Sequence, residues 1–246
     1  MCGRYALYGN KKRKPAEALQ FHGEDIDFPP RYNLSPMQPL PVCAVDESGQ
    51  LRLSLMTWGL VPAWSKDAAI GAKLNNARAE TVAEKPAFRE SWRRRRCLVP
   101  MNGFYEWRRE GGHKQPYYFS LRGQDLFALA GIHDRWRGPD GETRNTFAVL
   151  TTAPNTLMAA VHDRMPVIVP PAAYEAWLDP RNTTARGLDA LLTPWPADQM
   201  QAWPVTARVN SVRNDDAALV EAAGASATIA AQNPDSTATP RQGQLL

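Results

Sequence analysis

A chain of 246 residues and 27.3 kDa is long enough to bury a large core, and its 21 prolines and 16 glycines are spread without a Ser/Gly-rich linker, so one main domain is expected. Three cysteines, Cys2, Cys43 and Cys97, form no CxxC pair, which argues against a disulfide framework and a zinc site. No stretch approaches the roughly 20 apolar residues of a membrane span, the first residues lack the apolar core of an export signal, and the net charge of +4 is mild, so a soluble cytoplasmic protein is expected.

The first feature in chain order is Cys2, directly behind Met1. Removal of Met1, which a small second side chain should permit, would leave an α-amine of pKa about 7.7 to 8.0 beside a thiol of pKa about 8.5. Such an aminothiol can attack an aldehyde through nitrogen to give an imine, then through sulfur to close a thiazolidine ring. Cys at position two also arises by chance, so the remaining segments have to decide. Leu51 to Thr57 reads as a strand. Helical signals run from Glu80 to Arg95. Tyr117 to Leu121 and Leu126 to Ile132 flank the turn-like Arg122 to Asp125, and Phe147 to Thr152 follows the Gly138 to Gly141 turn; together these predict an antiparallel meander. Further helices are expected at Asn155 to Val161 and Pro171 to Leu178, where Pro171 suits a first helical turn. Strand pairs interrupted by short helices, without repeated βαβ units, predict an α+β fold. From Glu221 onward large apolar residues almost vanish, so residues 2–220 are expected to form the domain and 221–246 a disordered tail, with an Ala-rich helix over Asp216 to about Ala223.

Between these elements lies a basic stretch, Arg89 and Arg93 to Arg96, with Arg108 and Arg109 beyond it and Phe88, Trp92, Phe104, Tyr105 and Trp107 interleaved. Cations among flat side chains suit a single-stranded nucleic acid, and suit equally well a solvated helix face anchored by a buried Trp.

Six short blocks are over-specified for packing: Met1-Cys2-Gly3-Arg4-Tyr5, Arg31-Tyr32-Asn33-Leu34-Ser35-Pro36, Trp58 to Trp64, Asn76-Ala77-Arg78-Ala79-Glu80-Thr81, Gly103-Phe104-Tyr105-Glu106-Trp107 and His162-Asp163-Arg164-Met165-Pro166. In this order they resemble the SRAP family of SOS-response-associated peptidase proteins, which shield abasic sites in DNA. The resemblance runs from Cys2 to about Val212. It implies a single SRAP-like domain with a mainly antiparallel, partly barrel-like β core, and a covalent thiazolidine between Cys2 and the ring-opened aldehyde of an abasic site in single-stranded DNA. A weak lyase branch through the imine is also implied, with no cofactor and no metal, acting as a monomer beside replication-fork proteins.

Within that resemblance, the catalytic set is Cys2, Asn76, Glu106 and His162. Loss of water from the carbinolamine needs an acid and the amine needs a base. Glu106, set among Phe104, Tyr105 and Trp107, is expected to have a raised pKa and to move protons at the amine. His162 is assigned to opening the sugar, and Asn76 to orienting the amine or the developing hydroxyl. Arg4, Arg78 and Arg164 match phosphate contacts. Pro36, Trp58 and Trp64 match segments lining the site, and Tyr105 and Thr151 complete the expected DNA-contacting set. This chain carries Ser65 where some family members place a second aromatic.

Each residue also has a plainer reading. Glu106 could pair with Arg108, His162 could face the last carbonyls of a helix, and Asn75 or Asn76 could cap one. Two other functions fit the same residues: a cysteine peptidase or autoprotease using Cys2 and His162, and a non-covalent module for single-stranded DNA or a modified base.

Overall fold

Along the long strands apolar residues of two fates alternate, and that alternation builds a barrel. The computed structural model describes residues 2–9, 28–46 and 48–224. Its strands are β1 (Tyr5–Leu7), β2 (Arg31–Leu34), β3 (Pro39–Val45), β4 (Leu51–Trp58), β5 (Asn76–Arg78), β6 (Arg96–Met101), β7 (Gly103–Glu110), β8 (His113–Leu121), β9 (Phe127–Arg137), β10 (Thr143–Thr152), β11 (Met165–Pro166), β12 (Ile168–Val169) and β13 (Met200–Pro204). The path β10-β4-β3-β6-β9 closes on itself because β9 also pairs with β10. All contacts around this ring are antiparallel except that β10 runs parallel to β4, and beyond the end of β4 to β5.

Successive side chains of a strand point to opposite faces, and the clusters follow that period. Cys97, Val99 and Met101 of β6, Phe127 and Leu129 of β9, and Phe147 and Val149 of β10 pack in one cluster with Leu40 and Val42 of β3. Their neighbours Leu98, Ala128, Ala130, Ile132, Ala148 and Leu150 pack in another, outside the ring, against Trp92 of the helix Arg89–Arg94 and Tyr174, Trp177 and Leu178 of the helix Tyr174–Leu178. Trp177 is fully buried and donates through Nε1 to the carbonyl of Cys97 at 2.8 Å.

The second sheet, ordered β13-β8-β7-β1-β2, lays Tyr5, Leu7, Phe104 and Phe119 onto the first cluster and Ala6, Tyr105 and Tyr118 onto a smaller third one. At Gly103 a Cβ would lie 2.5 Å from the carbonyl oxygen of Phe119, so the β7–β8 approach requires glycine there. The α+β class, the antiparallel barrel-like core and the short flanking helices are therefore as expected.

Several local expectations need correction. The stretch Tyr117–Ile132 is not one hairpin: β8 belongs to the second sheet and β9 to the barrel, so the turn between them passes the chain from one to the other. The helix expected over Glu80 to Arg95 shrinks to a 3-10 turn at Ala79–Thr81 and the helix Arg89–Arg94. Pro86 lies between them, where it removes a backbone donor and restricts Lys85. Asn155 caps a helix of only Thr156–Ala159, accepting from the Met158 N–H at 2.8 Å. Over Pro171–Leu178 a 3-10 turn at Pro171–Ala173 leads into the helix. The Ala-rich segment forms a 3-10 turn at Ala217–Val220. Of the expected tail, residues 225–246 lie outside the described residues.

The basic stretch follows its plainer reading. Arg96 is buried and donates to the carbonyls of Trp177 (2.7 Å), Trp92 (2.7 Å) and Asp179 (2.6 Å), locking two helices together. Arg94 pairs with Glu90 at 3.0 Å and Arg95 with Asp134 at 3.1 Å. Phe88, Trp92, Phe104 and Tyr105 are buried and offer no stacking face.

Candidate functional site

Strand register brings Cys2 and Glu106 together. Tyr5 of β1 lies opposite Phe104 of β7, and the Tyr105 N–H donates to the Arg4 carbonyl at 2.9 Å, so Glu106 falls beside the Cys2–Gly3 segment. The period of two puts Glu106 on the face of Phe104 and sends Tyr105 to the other side. Asn76 reaches the same place from β5, whose pairing with Val149 of β10 fixes its height. Its Nδ2 donates to the Cys2 carbonyl at 2.8 Å, and its Oδ1 is buried without a hydrogen-bond partner. Behind it, Trp58 donates through Nε1 to the Asn75 carbonyl at 2.9 Å. His162 follows the helix Thr156–Ala159, with Nε2 4.0 Å from Glu106 Oε2. Four segments distant in sequence thus converge on one buried point.

The electrostatics of that point follow from burial. Cys2 and Glu106 are 1% and 3% exposed. Desolvation pushes the Glu106 carboxyl up to about 7, which gives it both protonation states near neutrality. Desolvation, and then the Glu106 charge, push the Cys2 thiol well above the ordinary thiol range, so it stays protonated. Burial lowers the His162 pKa and favours neutral imidazole. The Arg164 backbone N–H donates to His162 Nδ1 at 3.0 Å, which puts the proton of the neutral ring on Nε2, toward Glu106. Asp163 also approaches Nδ1 at 3.0 Å, but its carboxylate is 87% exposed and faces water.

The expected DNA-contacting residues separate into three groups. Trp58 and Tyr105 are fully buried. Trp58 stacks on Phe147 with centroids 6.2 Å apart, and the Tyr105 hydroxyl donates to the Tyr32 carbonyl at 2.8 Å. In this structure both shape the walls and present no surface to a strand, which corrects the expectation of direct contact. Thr151 is likewise buried. Arg164 is held by its neighbours: it forks onto Glu80 at 2.7 and 2.8 Å and donates to the Thr151 carbonyl at 2.6 Å. Arg4 is half-buried, with Nη1 donating to Asn33 Oδ1 (2.7 Å) and the Val209 carbonyl (2.6 Å) and its guanidinium over Trp107.

The accessible members are Arg78, exposed at the end of β5, half-buried Pro36 in the β2–β3 turn, and Trp64, 62% exposed. Trp64 stands with Pro62, Pro86, Arg89 and Arg95 around a cavity that none of the four convergent residues lines.

Sequence reasoning gave no role to three residues that support this arrangement. Glu80 clamps Arg164. Asn33 holds Arg4 and, through Nδ2, the carbonyls of Ser211 (3.0 Å) and Asn214 (2.7 Å). Asp215 accepts from the backbone of Tyr32 and Asn33 and pairs with Arg31. Glu80 and Asn33 stand inside the six blocks, which is the signal that marks them; nothing local marks Asp215. Among the described residues no group of three or more His, Cys, Asp or Glu side chains could hold a metal ion, and no helix is long and apolar enough to cross a membrane.

Comparison with known proteins places the chain among relatives in sequence and fold. A family model described as SOS response associated peptidase (SRAP) matches residues 1–212. The chain is 40% identical over 224 residues to the abasic site processing protein YoqW of Bacillus subtilis (strain 168), covering 90% of this chain and 99% of that protein. It is 40% identical over 225 residues to YoaM, another abasic site processing protein of that bacterium, covering 90% and 98%. A crystal structure of a Bacteroides thetaiotaomicron protein superposes with a TM-score of 0.77 at 29% identity, covering 90% of this chain and 100% of that one.

Proposed function

Since the chain belongs to the SOS response associated peptidase (SRAP) family, we propose that it processes abasic sites in DNA, and that it does so by linking itself through Cys2 to the aldehyde of the lesion in single-stranded DNA. The observation that carries this reading is the burial of Glu106, with a carboxyl pushed up to about 7, beside Cys2 and within 4.0 Å of His162. With Met1 removed, the Cys2 amine attacks the aldehyde carbon to give a carbinolamine. Glu106 takes the amine proton and returns it to the departing hydroxyl, so one water leaves and an imine remains. The thiol then adds to the imine carbon while its proton passes to nitrogen, closing the thiazolidine. His162 Nε2–H serves the sugar side, where the ring oxygen must be protonated as the aldehyde is unmasked.

Because burial keeps the thiol protonated, nitrogen attacks first and sulfur second. The same property disfavours the peptidase reading, since cysteine hydrolases depend on a thiolate of lowered pKa. The imine also permits β-elimination at the sugar, and ring closure by sulfur withdraws it from that branch. The protein without Met1 is mixed with a single-stranded oligonucleotide carrying one abasic site and run on a denaturing gel. A shifted band that survives SDS and heat is expected, and it disappears when one residue is added before Cys2. A band of equal strength with intact DNA, or from the blocked protein, would refute the reading.

A further inference from the structure

Among the described residues only Met37 and Ala185 adopt positive φ without being glycine, at +68° and +54°. For an L residue this conformation costs energy that the surroundings have to offset. Ala185 is buried in the outer cluster of the barrel, and packing offsets its strain. Met37 is compensated only in part, by a backbone hydrogen bond and by its sulfur over Gly59: the residue is 49% exposed, so a strained backbone displays a large apolar group to water.

Its location is specific. Tyr5 of β1, three residues after Cys2, lies opposite Leu34 of β2 in antiparallel pairing and packs against Trp58 with ring centroids 5.4 Å apart, and the chain turns at Pro36–Met37 just past Leu34. The turn is fixed in place. The Met37 N–H donates to the Trp58 carbonyl at 2.8 Å and the Trp58 N–H to the Gln38 carbonyl at 3.0 Å, and Trp58 in turn holds the Asn75 carbonyl next to the residue that holds Cys2. Its sulfur lies over Gly59, where a Cβ would stand 3.2 Å away; Gly59 itself sits at φ +135°, so a side chain there would be both strained and crowded.

We infer that Met37 is a strained wedge that packs on an unpaired base next to the abasic nucleotide, and so sets how tightly this protein holds the DNA flanking the lesion. The inference rests on the abasic-site reading above. A nucleotide without its base leaves a neighbour with one uncovered ring face. An unbranched, polarisable thioether suits such a face, and apolar side chains including Met serve as wedges at base steps. Position 65 offers no ring for this purpose, since it is Ser65, whose hydroxyl donates to the Asp67 carbonyl at 2.8 Å.

The test compares Met37→Gly and Met37→Leu with the unchanged protein, using single-stranded DNA that carries a tetrahydrofuran abasic mimic, which has no aldehyde and reports binding alone. Measured at one salt concentration, Met37→Gly should bind roughly three- to tenfold more weakly, the range a thioether–ring contact supports. It should melt at or above the temperature of the unchanged protein, because the strain is gone. Met37→Leu should keep the affinity. With 2-aminopurine replacing one neighbour of the lesion, the fluorescence change on binding should shrink in Met37→Gly, and it should not shrink for 2-aminopurine placed far along the strand. Equal affinity for all three proteins, or a loss in Met37→Gly that parallels a lower melting temperature, would overturn the inference. Failure of the unchanged protein to crosslink a true abasic site would instead overturn the reading on which it rests.

Discussion

Replacing Glu106 by Gln should move stability and activity in opposite directions. Burial raises the carboxyl from 4.5 to about 7. A raised folded-state pKa means that stability is fully present below the unfolded value and is lost as pH rises through the folded one. At about 1.36 kcal/mol per tenfold in proton affinity, the loss between pH 4.5 and about 7 amounts to about 3 kcal/mol, and exposure of only 3% leaves little solvent screening to discount. A neutral amide has no such penalty. Glu106→Gln should therefore match the unchanged protein at pH 4 to 5 and exceed it at pH 8, by up to about 3 kcal/mol less the cost of any amide hydrogen bond left unmade. Proton transfer contributes about 10² to 10⁴ in rate, and a Gln side chain cannot supply it. The assays are urea unfolding at pH 5 and pH 8, and single-turnover adduct formation on an abasic oligonucleotide at pH 7. A variant equally destabilised at both pH values, or one that forms adduct within threefold of the unchanged rate, would refute the reasoning.

His133 carries the opposite dependence: burial, followed by the Arg95 charge, lowers it to about 4. Its contribution is lost as pH falls from 6.5 toward 4, by about 3 kcal/mol, so His133→Gln should flatten the acid limb of a stability profile measured by denaturant unfolding. Trp177→Ala should cost about 3 to 5 kcal/mol, seen as a lower denaturation midpoint, while adduct formation under folded conditions persists, because Trp177 packs outside the barrel away from Cys2. Glu80→Gln removes the carboxylate that occupies the Arg164 fork. Noncovalent DNA affinity should rise and its dependence on log salt should steepen by about one, as expected when one more guanidinium meets phosphate; an unchanged slope would show that Arg164 stays bound within the protein.

What the sequence makes legible follows its periodicity. β4 is marked by partial alternation, and β8, β9 and β10 by short apolar runs bounded by turn residues, because both faces of those three are packed; their observed spans differ from the expected ones by a few residues at the ends. β3 and β6 escape notice because Pro39, Pro41 and Pro100 interrupt a pattern that otherwise reads as buried strand. The β8–β9 part of the meander fails for a nonlocal reason, since distant partners decide which sheet a strand joins, whereas β9 and β10 pair antiparallel as expected; the Glu80 to Arg95 helix fails for a local one, the break at Pro86. The site divides in the same way. Local pattern alone leaves Glu106 a surface ion pair and His162 a helix end; it is their shared position beside Cys2, reached from strands that pair at a distance, that sets their chemistry. Trp58 and Tyr105 stand in mainly apolar blocks, and only the family resemblance suggests contact with DNA; each is packed inside as a wall, the core position that the strand-like run before Gly59 also allows for Trp58.

In the proposed reaction the whole aminothiol of Cys2, and no other nucleophile, joins the DNA. Intact-mass analysis of the adduct with a single abasic oligonucleotide tests it most directly. The expected product has the mass of the protein without Met1 plus that of the DNA minus one water, with digestion placing the sugar remnant on the peptide that begins at Cys2. A remnant on a lysine, or an adduct of the same mass balance formed with Met1 retained, would contradict it.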